Sequence, residues 1–411
     1  MARSTRWTIR SAAVLFAVTL LLVIQGSTVP AHASNGSGSQ IVVGAYYLTG
    51  WGLYSNQKSS DWRIVAPFTP ELGGYNSSDP AAADTHIDWA LSHGVNFFIM
   101  PFTHAGYGWE NALENGFLKS QNVGRIKFAI MTNYEPYWSG SPGFPNNNEE
   151  RVKWMLGDIE YIVDHYTTHA SYLKVGDRPV VFVYHASSSL SDSLGGIQEL
   201  SQFVSDVRAT ARQKGIELYL VGDVMYWLPL STDKSFARLF DAVSAYTLPD
   251  AGVGWVSDNG RLKSVGPYAA MVSSYAEMMK HWSELSRGLG IAFIPPVTPG
   301  FNNTGTFNAG IDNFLVVRTG SSPDKFAQMI RTAVSYADAS LKMMVVEAWN
   351  EYHEGSVVEP TSQFGFSYLD AIAQSSGIPG VPSPSLESFA AILQSGSGSV
   401  TRPNRWLCLR S

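Results

Sequence analysis

The segment Trp349-Asn350-Glu351-Tyr352-His353-Glu354-Gly355 gathers two carboxylates, an imidazole and an amide in one short stretch. It follows the apolar run Met343 to Val346, which reads as a buried strand ending in a polar loop. Burying any one of these groups without a partner costs kilocalories. Four of them at a strand end serve chemistry better than packing. Glu351 and Glu354 are three residues apart, so on a loop both can face one ligand from different surroundings. Different surroundings separate carboxyl pKa values, leaving one group as an acid and the other as a base. Two carboxyl groups in such roles are the usual apparatus of glycoside hydrolysis. The competing reading is a loop stitched by a buried glutamate hydrogen-bonded to backbone amides.

Such a loop needs a scaffold. Between residues 41 and 349, β-rich apolar runs alternate with amphipathic helical segments. The predicted strands are Ile41–Tyr47, Val95–Phe102, Ile126–Asn133, Pro179–Tyr184, Glu217–Gly222, Ala242–Tyr246, Ile291–Val297 and Met343–Trp349. Predicted helices include Thr85–His93, Glu149–His165, Gln198–Lys214, Tyr268–Leu285 and Pro323–Ala339. Eight strands with helices between most of them predict an α/β fold, a single (β/α)8 TIM-type barrel, over residues 41–377. A doubly wound open sheet is the alternative, weakened by the absence of a Gly-rich phosphate turn after the first strand.

Active sites of such barrels are built at the C-terminal ends of the strands. Those ends carry Tyr46 with Trp51 beyond it, His104, Asn133 with Glu135, Tyr184-His185, Asp223, Tyr246, the Thr298–Asn303 turn and the Glu351/Glu354 loop. The residues expected at a substrate are Tyr46, Trp51, His104, Asn133, Glu135, Asp223, Tyr246, Trp349, Asn350, Tyr352 and His353. Glu351 and Glu354 are the expected catalytic pair. Each has a plainer role: Trp51, Tyr46 and Tyr246 as packing, Glu135 as a turn residue before Pro136, Asp223 as a helix cap. Glu347 reads as a barrel-interior residue with a partner. No metal or cofactor is expected. The one histidine pair at i, i+4 spacing, His165 and His169, falls where a helical segment ends.

Composition narrows the partners. Hydrophobic residues make up 45% and charged residues 15%, which predicts a globular chain with a sizeable core. A net charge of −6 offers no basic footprint for nucleic acid or anionic lipid. Arg3, Arg6 and Arg10, the apolar run Ala12 to Ile24 and Ala31-His32-Ala33 read as a secretion signal over residues 1–33. Residues 34–40 form a Gly/Ser linker, and 378–411 a linker-rich tail carrying the one cysteine, Cys408. The mature chain is therefore expected outside the cytoplasm, without stable membrane association. A lone cysteine rules out an internal disulfide.

The strand-eight loop resembles that of family 99 glycoside hydrolases and their relatives in bacterial polysaccharide loci. The hallmark of that family is Asn-Glu-Trp-His-Glu-Gly and a small hydroxyl residue. It stands here as Asn350-Glu351-Tyr352-His353-Glu354-Gly355-Ser356. Glu359-Pro360 and Gly365-Phe366-Ser367-Tyr368-Leu369 are similar to the continuation in the polysaccharide-locus relatives. Gly44-Ala45-Tyr46-Tyr47, His86-Ile87-Asp88-Trp89-Ala90 and Pro299-Gly300-Phe301 extend the resemblance over most of residues 41–375. It implies a (β/α)8 barrel cleaving α-linked, mannose-type glycans with retention, acting within the chain. The residue matching Glu351 would deprotonate the sugar's 2-hydroxyl, whose oxygen attacks the anomeric carbon. The residue matching Glu354 would protonate the leaving oxygen and later activate water, with Tyr246 assisting. Tyr352 in place of Trp, Val357 where Gln is common, and Asn302-Asn303-Thr304-Gly305 after strand seven depart from the pattern, and these bear on which glycan is bound. Two other functions stay open: a glycosyltransferase-like protein of polysaccharide assembly, and a carbohydrate-binding protein without catalysis.

Overall fold

A computed structural model describes residues 41–53, 66–106, 108–134, 145, 147–224, 234–248 and 252–377. The expected secretion signal, both linker segments, Cys408 and Glu135 lie outside the described residues. In chain order the first strands are β1 Val42–Tyr46, β2 Val95–Phe102, β3 Lys127–Thr132, β4 Lys174–Val175, β5 Arg178–Val183, β6 Tyr219–Asp223 and β7 Ala242–Ser244. They are followed by β8 Val256–Asp258, β9 Arg261–Pro267, β10 Ala292–Phe293, β11 Pro296–Val297 and β12 Phe314–Thr319. The last are β13 Met343–Val346, β14 Asn350–Glu351 and β15 Ser356–Val357. The main helices are α1 Pro80–Ser92, α2 Gly108–Asn115, α3 Asn148–His165, α4 Ile197–Gln213, α5 Tyr268–Leu289, α6 Thr304–Asn308, α7 Pro323–Tyr336 and α8 Ser367–Ser375.

The fold is α/β, built on one sheet of parallel strands ordered β10-β7-β6-β5-β3-β2-β1-β13-β11. Its two terminal strands are pieces of the same stretch, 292–297. β10 pairs with β7, and β11 pairs with β13. This order is consistent with the expected eight-stranded barrel, the two pieces together standing for its seventh strand. The interruption has a local cause, because Pro295, between the pieces, and Pro296, which opens β11, have no N–H to give to a ladder. Main-chain bonds continue on both flanks: Ile294 donates to the Val243 carbonyl, and Val345 donates to the Pro295 carbonyl.

Side chains alternate along these strands, apart from a register shift in β2 between Val95 and Phe97. Val43, Phe98, Met100, Phe128, Ile130, Val181, Leu220, Val243 and Met344 pack under the helices. Tyr46, Phe97, Ile99, Met131, Phe182, Val221 and Val345 form a second core on the opposite face. Both faces are apolar, as a sheet covered on both sides requires. Complete burial of one such side chain stabilises the fold by about 1.5–3 kcal/mol. Gly44 belongs to this second layer by necessity, since a Cβ there would sit 2.1 Å from the Phe97 ring.

The helix starts are written in the sequence. Asp79 caps α1 by accepting from the Ala81 N–H, and Pro80 occupies the first turn. Ser322 and Pro323 do the same for α7. Gly290, at φ 73°, ends α5. Two additions are not in the expected alternation. β8, β9 and β12 form a separate three-stranded sheet, and β14 and β15 form a hairpin that carries the Glu351/Glu354 loop. Strand eight therefore ends at Val346, short of the expected Trp349, and the chain turns to enter the hairpin.

Candidate active site

The β14–β15 hairpin is braced by glycine and by its neighbours. Gly355 takes φ +59°, and a Cβ there would lie 2.8 Å from the Pro67 Cγ and 3.0 Å from the Asn302 carbonyl. No larger residue fits that turn without strain. The Glu354 carbonyl accepts from the Asn302 N–H at 2.5 Å, which ties the hairpin to the strand-seven loop. On the other flank the Asn350 side chain accepts from the Leu48 N–H at 2.7 Å and donates to the Leu48 carbonyl at 3.0 Å. Behind it runs a buried polar chain. Asn350 Nδ2 donates to the Tyr75 hydroxyl, which donates to Glu359 Oε2 at 2.9 Å. Glu359 Oε1 lies 3.2 Å from His86 Nε2, and the Tyr47 hydroxyl lies 2.9 Å from the other ring nitrogen.

Glu351 is oriented by three donors. The Tyr246 hydroxyl reaches Oε2 at 3.3 Å, while the His353 N–H and Nδ1 lie 3.1 and 3.2 Å from Oε1. The His353 ring stacks on Trp51, with centroids 4.6 Å apart, and the Trp51 indole N–H donates to the Asn350 carbonyl. Glu351, His353 and Glu354 line one cavity of about 300 Å³ together with Tyr246, Asn133, Tyr184, Trp109, Thr306 and Asp312. The cavity opens at the C-terminal ends of the parallel strands, where Asn133 follows β3, Tyr184 follows β5 and Glu351 follows β13.

An aromatic cluster forms the wall beneath it. Tyr246 meets Tyr46 edge-on at 4.8 Å and Tyr184 at 5.5 Å. Burial, reinforced by the charges of Glu351 and Glu354, raises the Tyr246 hydroxyl well above its ordinary range. It stays a donor at any working pH. Glu347, just past the end of β13, is 1% exposed and is pushed up to about 8, chiefly by burial and secondarily by Glu351. The hydroxyls of Thr247, Thr298 and Ser356 surround its carboxyl, yet none is aligned well enough to complete a hydrogen bond to it.

Five of the sequence-selected residues meet at the cavity: Glu351, Glu354, Asn133, Tyr246 and His353. The others stand elsewhere. Trp349 is fully buried on the helix-facing side against Phe98 and His86, so its expected place at a ligand is corrected to core packing. Asn350 and Tyr352 are likewise fully buried, the first as the brace to Leu48 and the second edge-on beneath Trp51. Trp51 and Tyr46 back the cavity residues without lining it. His104 lies against α3, 2.6 Å from Asp158 and stacked on Trp154. Asp223 is buried and accepts from the His185 and Tyr246 main-chain N–H groups, and burial pushes it up to about 7. None of these residues is among the described lining of the cavity. Sequence reasoning passed over Trp109 in α2, Thr306 in α6 and Asp312 between α6 and β12, none of which immediately follows a predicted strand. It noted Tyr184 without choosing it. Among the described residues no group of three or more His, Cys, Asp or Glu side chains is placed to hold a metal ion.

The matched family model, described as "Glycosyltransferase WbsX", spans residues 66–372. The chain belongs to the WbsX family. Among curated relatives, this WbsX-family chain is 25% identical over 226 residues to the uncharacterized protein WxcX of Xanthomonas campestris. That match covers 53% of this chain and 30% of WxcX. It is 22% identical over 307 residues to a glycoprotein endo-alpha-1,2-mannosidase of Xenopus laevis, covering 72% of this chain and 59% of the relative. This chain thus spans less than two thirds of either relative's length. Among solved structures, a glycoside hydrolase-like protein superposes with a TM-score of 0.60 at 18% identity, covering 83% of this chain and 95% of that one. The GH99 endo-alpha-mannosidase of Bacteroides thetaiotaomicron gives 0.56 at 17%, covering 81% and 96%. At such identities the likeness shows the fold. The WbsX-family chain is thereby both WbsX-like and GH99-like, as its strand-eight loop implied.

Proposed function

We propose that this protein is a glycoside hydrolase that cleaves α-linked glycans of the mannan type, acting within the chain and with retention. The proposal takes the parallel sheet as a closed (β/α)8 barrel with the cavity at its catalytic end. One observation carries it: Glu351 and Glu354 share a single cavity, and Glu351 is held by the Tyr246 hydroxyl and by both His353 donors. A carboxylate fixed in that way is preorganised to take a proton from a ligand hydroxyl. Glu354, half-buried on the same loop, takes the part of the acid in this proposal. In this scheme Glu351 removes the proton of the sugar's 2-hydroxyl, the freed oxygen displaces the glycosidic oxygen at the anomeric carbon, and Glu354 protonates the oxygen that leaves. Water, deprotonated by Glu354, then opens the anhydro sugar as Glu351 returns the proton.

The family description names a glycosyltransferase, so sugar transfer from a nucleotide donor is the second reading. The cavity favours hydrolysis. Its described lining contains Glu351, Glu354 and Asp312 and no lysine or arginine, a poor setting for a diphosphate. We also place the mature chain outside the cytoplasm, where sugar nucleotides are absent, on the strength of the basic, apolar and small-residue order of residues 1–33.

Digestion of α-mannans and other microbial α-glycans by the full mature chain tests the reading, beside Glu351→Gln and Glu354→Gln. Release of oligosaccharides by wild type is expected, with kcat reduced about 10²- to 10⁴-fold in Glu354→Gln. A 2-deoxy substrate should not turn over. Transfer from a sugar nucleotide without hydrolysis of any glycan would establish the second reading instead.

A further inference from the structure

Asp312 lines the same cavity as the two glutamates from a different part of the chain, and its surroundings treat its two carboxyl oxygens unequally. Oδ2 accepts from Asn303 Nδ2 at 2.9 Å and from the Thr306 hydroxyl. Oδ1 accepts no hydrogen bond from the described residues. The segment that carries Asp312 is pinned on every side. Asn303, fully buried, also accepts from the Val316 N–H and donates to the Phe314 carbonyl. Arg261 donates to the Asp312 carbonyl at 2.7 Å while its guanidinium lies over the Phe307 ring. A carboxylate so anchored, on a residue that lines the cavity and with one oxygen bonded to none of the described residues, is a fixed acceptor.

We propose that Asp312 is a specificity-determining residue of this cavity. Its Oδ1 accepts a hydrogen bond from a sugar hydroxyl, and its charge selects neutral glycans over those bearing carboxylates or phosphates. The proposal rests on the glycan-cleaving reading above and names the substrate class of the same site. Its chemistry is simple. A hydroxyl can donate to Oδ1, whereas an anionic substituent brings only acceptors and like charge. Trp109 and Tyr184 on the cavity lining offer the aromatic surface that the apolar face of a sugar ring requires.

Asp312→Asn is the informative substitution. The amide oxygen can replace Oδ2 toward Asn303 and Thr306, so the loop keeps its anchor, while an N–H donor replaces Oδ1. Binding is read on an array of neutral, carboxylate-bearing and phosphate-bearing glycans. The full chain is used, with Glu354→Gln to suppress turnover, with and without Asp312→Asn. Isothermal titration then follows the tightest neutral glycan and its singly deoxygenated forms. The expected result is neutral binding that falls about tenfold or more in Asp312→Asn, at unchanged melting temperature. One deoxygenation should cost about tenfold with Asp312 present and nothing further without it. Binding within twofold of the parent, a deoxygenation penalty that survives Asp312→Asn, a preference for anionic glycans, or no binding of any neutral glycan would each overturn the proposal. Cleavage by the otherwise wild-type chain, measured in parallel, separates the two readings. Turnover that ignores Asp312 sinks this inference alone, and Asp312-dependent binding without turnover sinks the hydrolase alone.

Discussion

The Tyr246–Glu351 contact is where the proposed chemistry is most exposed to test. Tyr246 reaches Glu351 from the opposite side to His353, so removing its hydroxyl leaves the carboxylate oriented at Oε1 and loose at Oε2. A hydrogen bond to a charged group contributes about 1.5–3 kcal/mol. Tyr246→Phe should therefore lower kcat/KM about 10- to 100-fold. The ring stays packed on Tyr46 and Tyr184, so the melting temperature should move little. Steady-state kinetics on the best glycan, paired with a thermal melt, decides the matter. Activity within twofold of wild type would remove Tyr246 from the machinery. The residue type at this position was legible as a strand-end tyrosine, but its neighbour Tyr46 carried the same signal and turned out to back the wall. Identity shows what a side chain can do. Which face it takes is set by pleat and register, and a one-residue difference reverses it. Trp349 and Asn350 illustrate this, since the chain leaves β13 at Val346 and rotates before the hairpin.

At the scale of the element, the hairpin β14–β15 is a small device held by one left-handed turn and by ties to Asn302, Leu48, Tyr75 and Trp51. Gly355→Ala places a Cβ against Pro67 and the Asn302 carbonyl at a φ that costs about 1–2 kcal/mol for a residue with a side chain. Relief requires moving the Glu354 carbonyl off Asn302, and Glu354 with it. The expected outcome is a loss of more than about tenfold in kcat, from misplacement of the acid, with a melting temperature only a few degrees lower. Full activity at a lowered melting temperature would show that the turn stabilises the hairpin without aiming Glu354. The main elements were legible because their causes are local: period-two apolar runs, Asp79-Pro80 and Ser322-Pro323 caps, Gly290 as a stop. The three-stranded sheet β8-β9-β12 was not. β8 and β9 form a local hairpin, but β12 joins β9 from dozens of residues away and much of β8 and β9 is exposed, so no apolar run marks the sheet. Thr306 and Asp312 reach the cavity from this part of the chain, which is why strand ends alone could not reveal them.

For the whole molecule, carrying buried acids near the cavity has a consequence for stability against pH. Burial holds Glu347 near 8 and Asp223 near 7, against ordinary values of 4.5 and 3.8. Between those limits the folded chain binds more protons than the unfolded chain. Stability is therefore greatest below about pH 3.8 as far as these two groups are concerned, and their contribution is lost progressively as pH rises toward 7 for Asp223 and 8 for Glu347. Each group contributes a slope of up to about 1.4 kcal/mol per pH unit within its window. The groups that share the field of Glu347 are Glu351 and the hydroxyls of Tyr46, Tyr246 and Tyr268, and the tyrosines stay protonated throughout this range. Glu347→Gln replaces the neutral acid by a neutral amide of the same shape and removes its part of the slope. Melting temperatures from pH 5 to 9 should decline more steeply for wild type than for Glu347→Gln, and the variant should be the more stable of the two at pH 9. Superimposable curves would mean that Glu347 titrates alike in the folded and unfolded chains, and that the buried end of the cavity is wetter than its packing indicates.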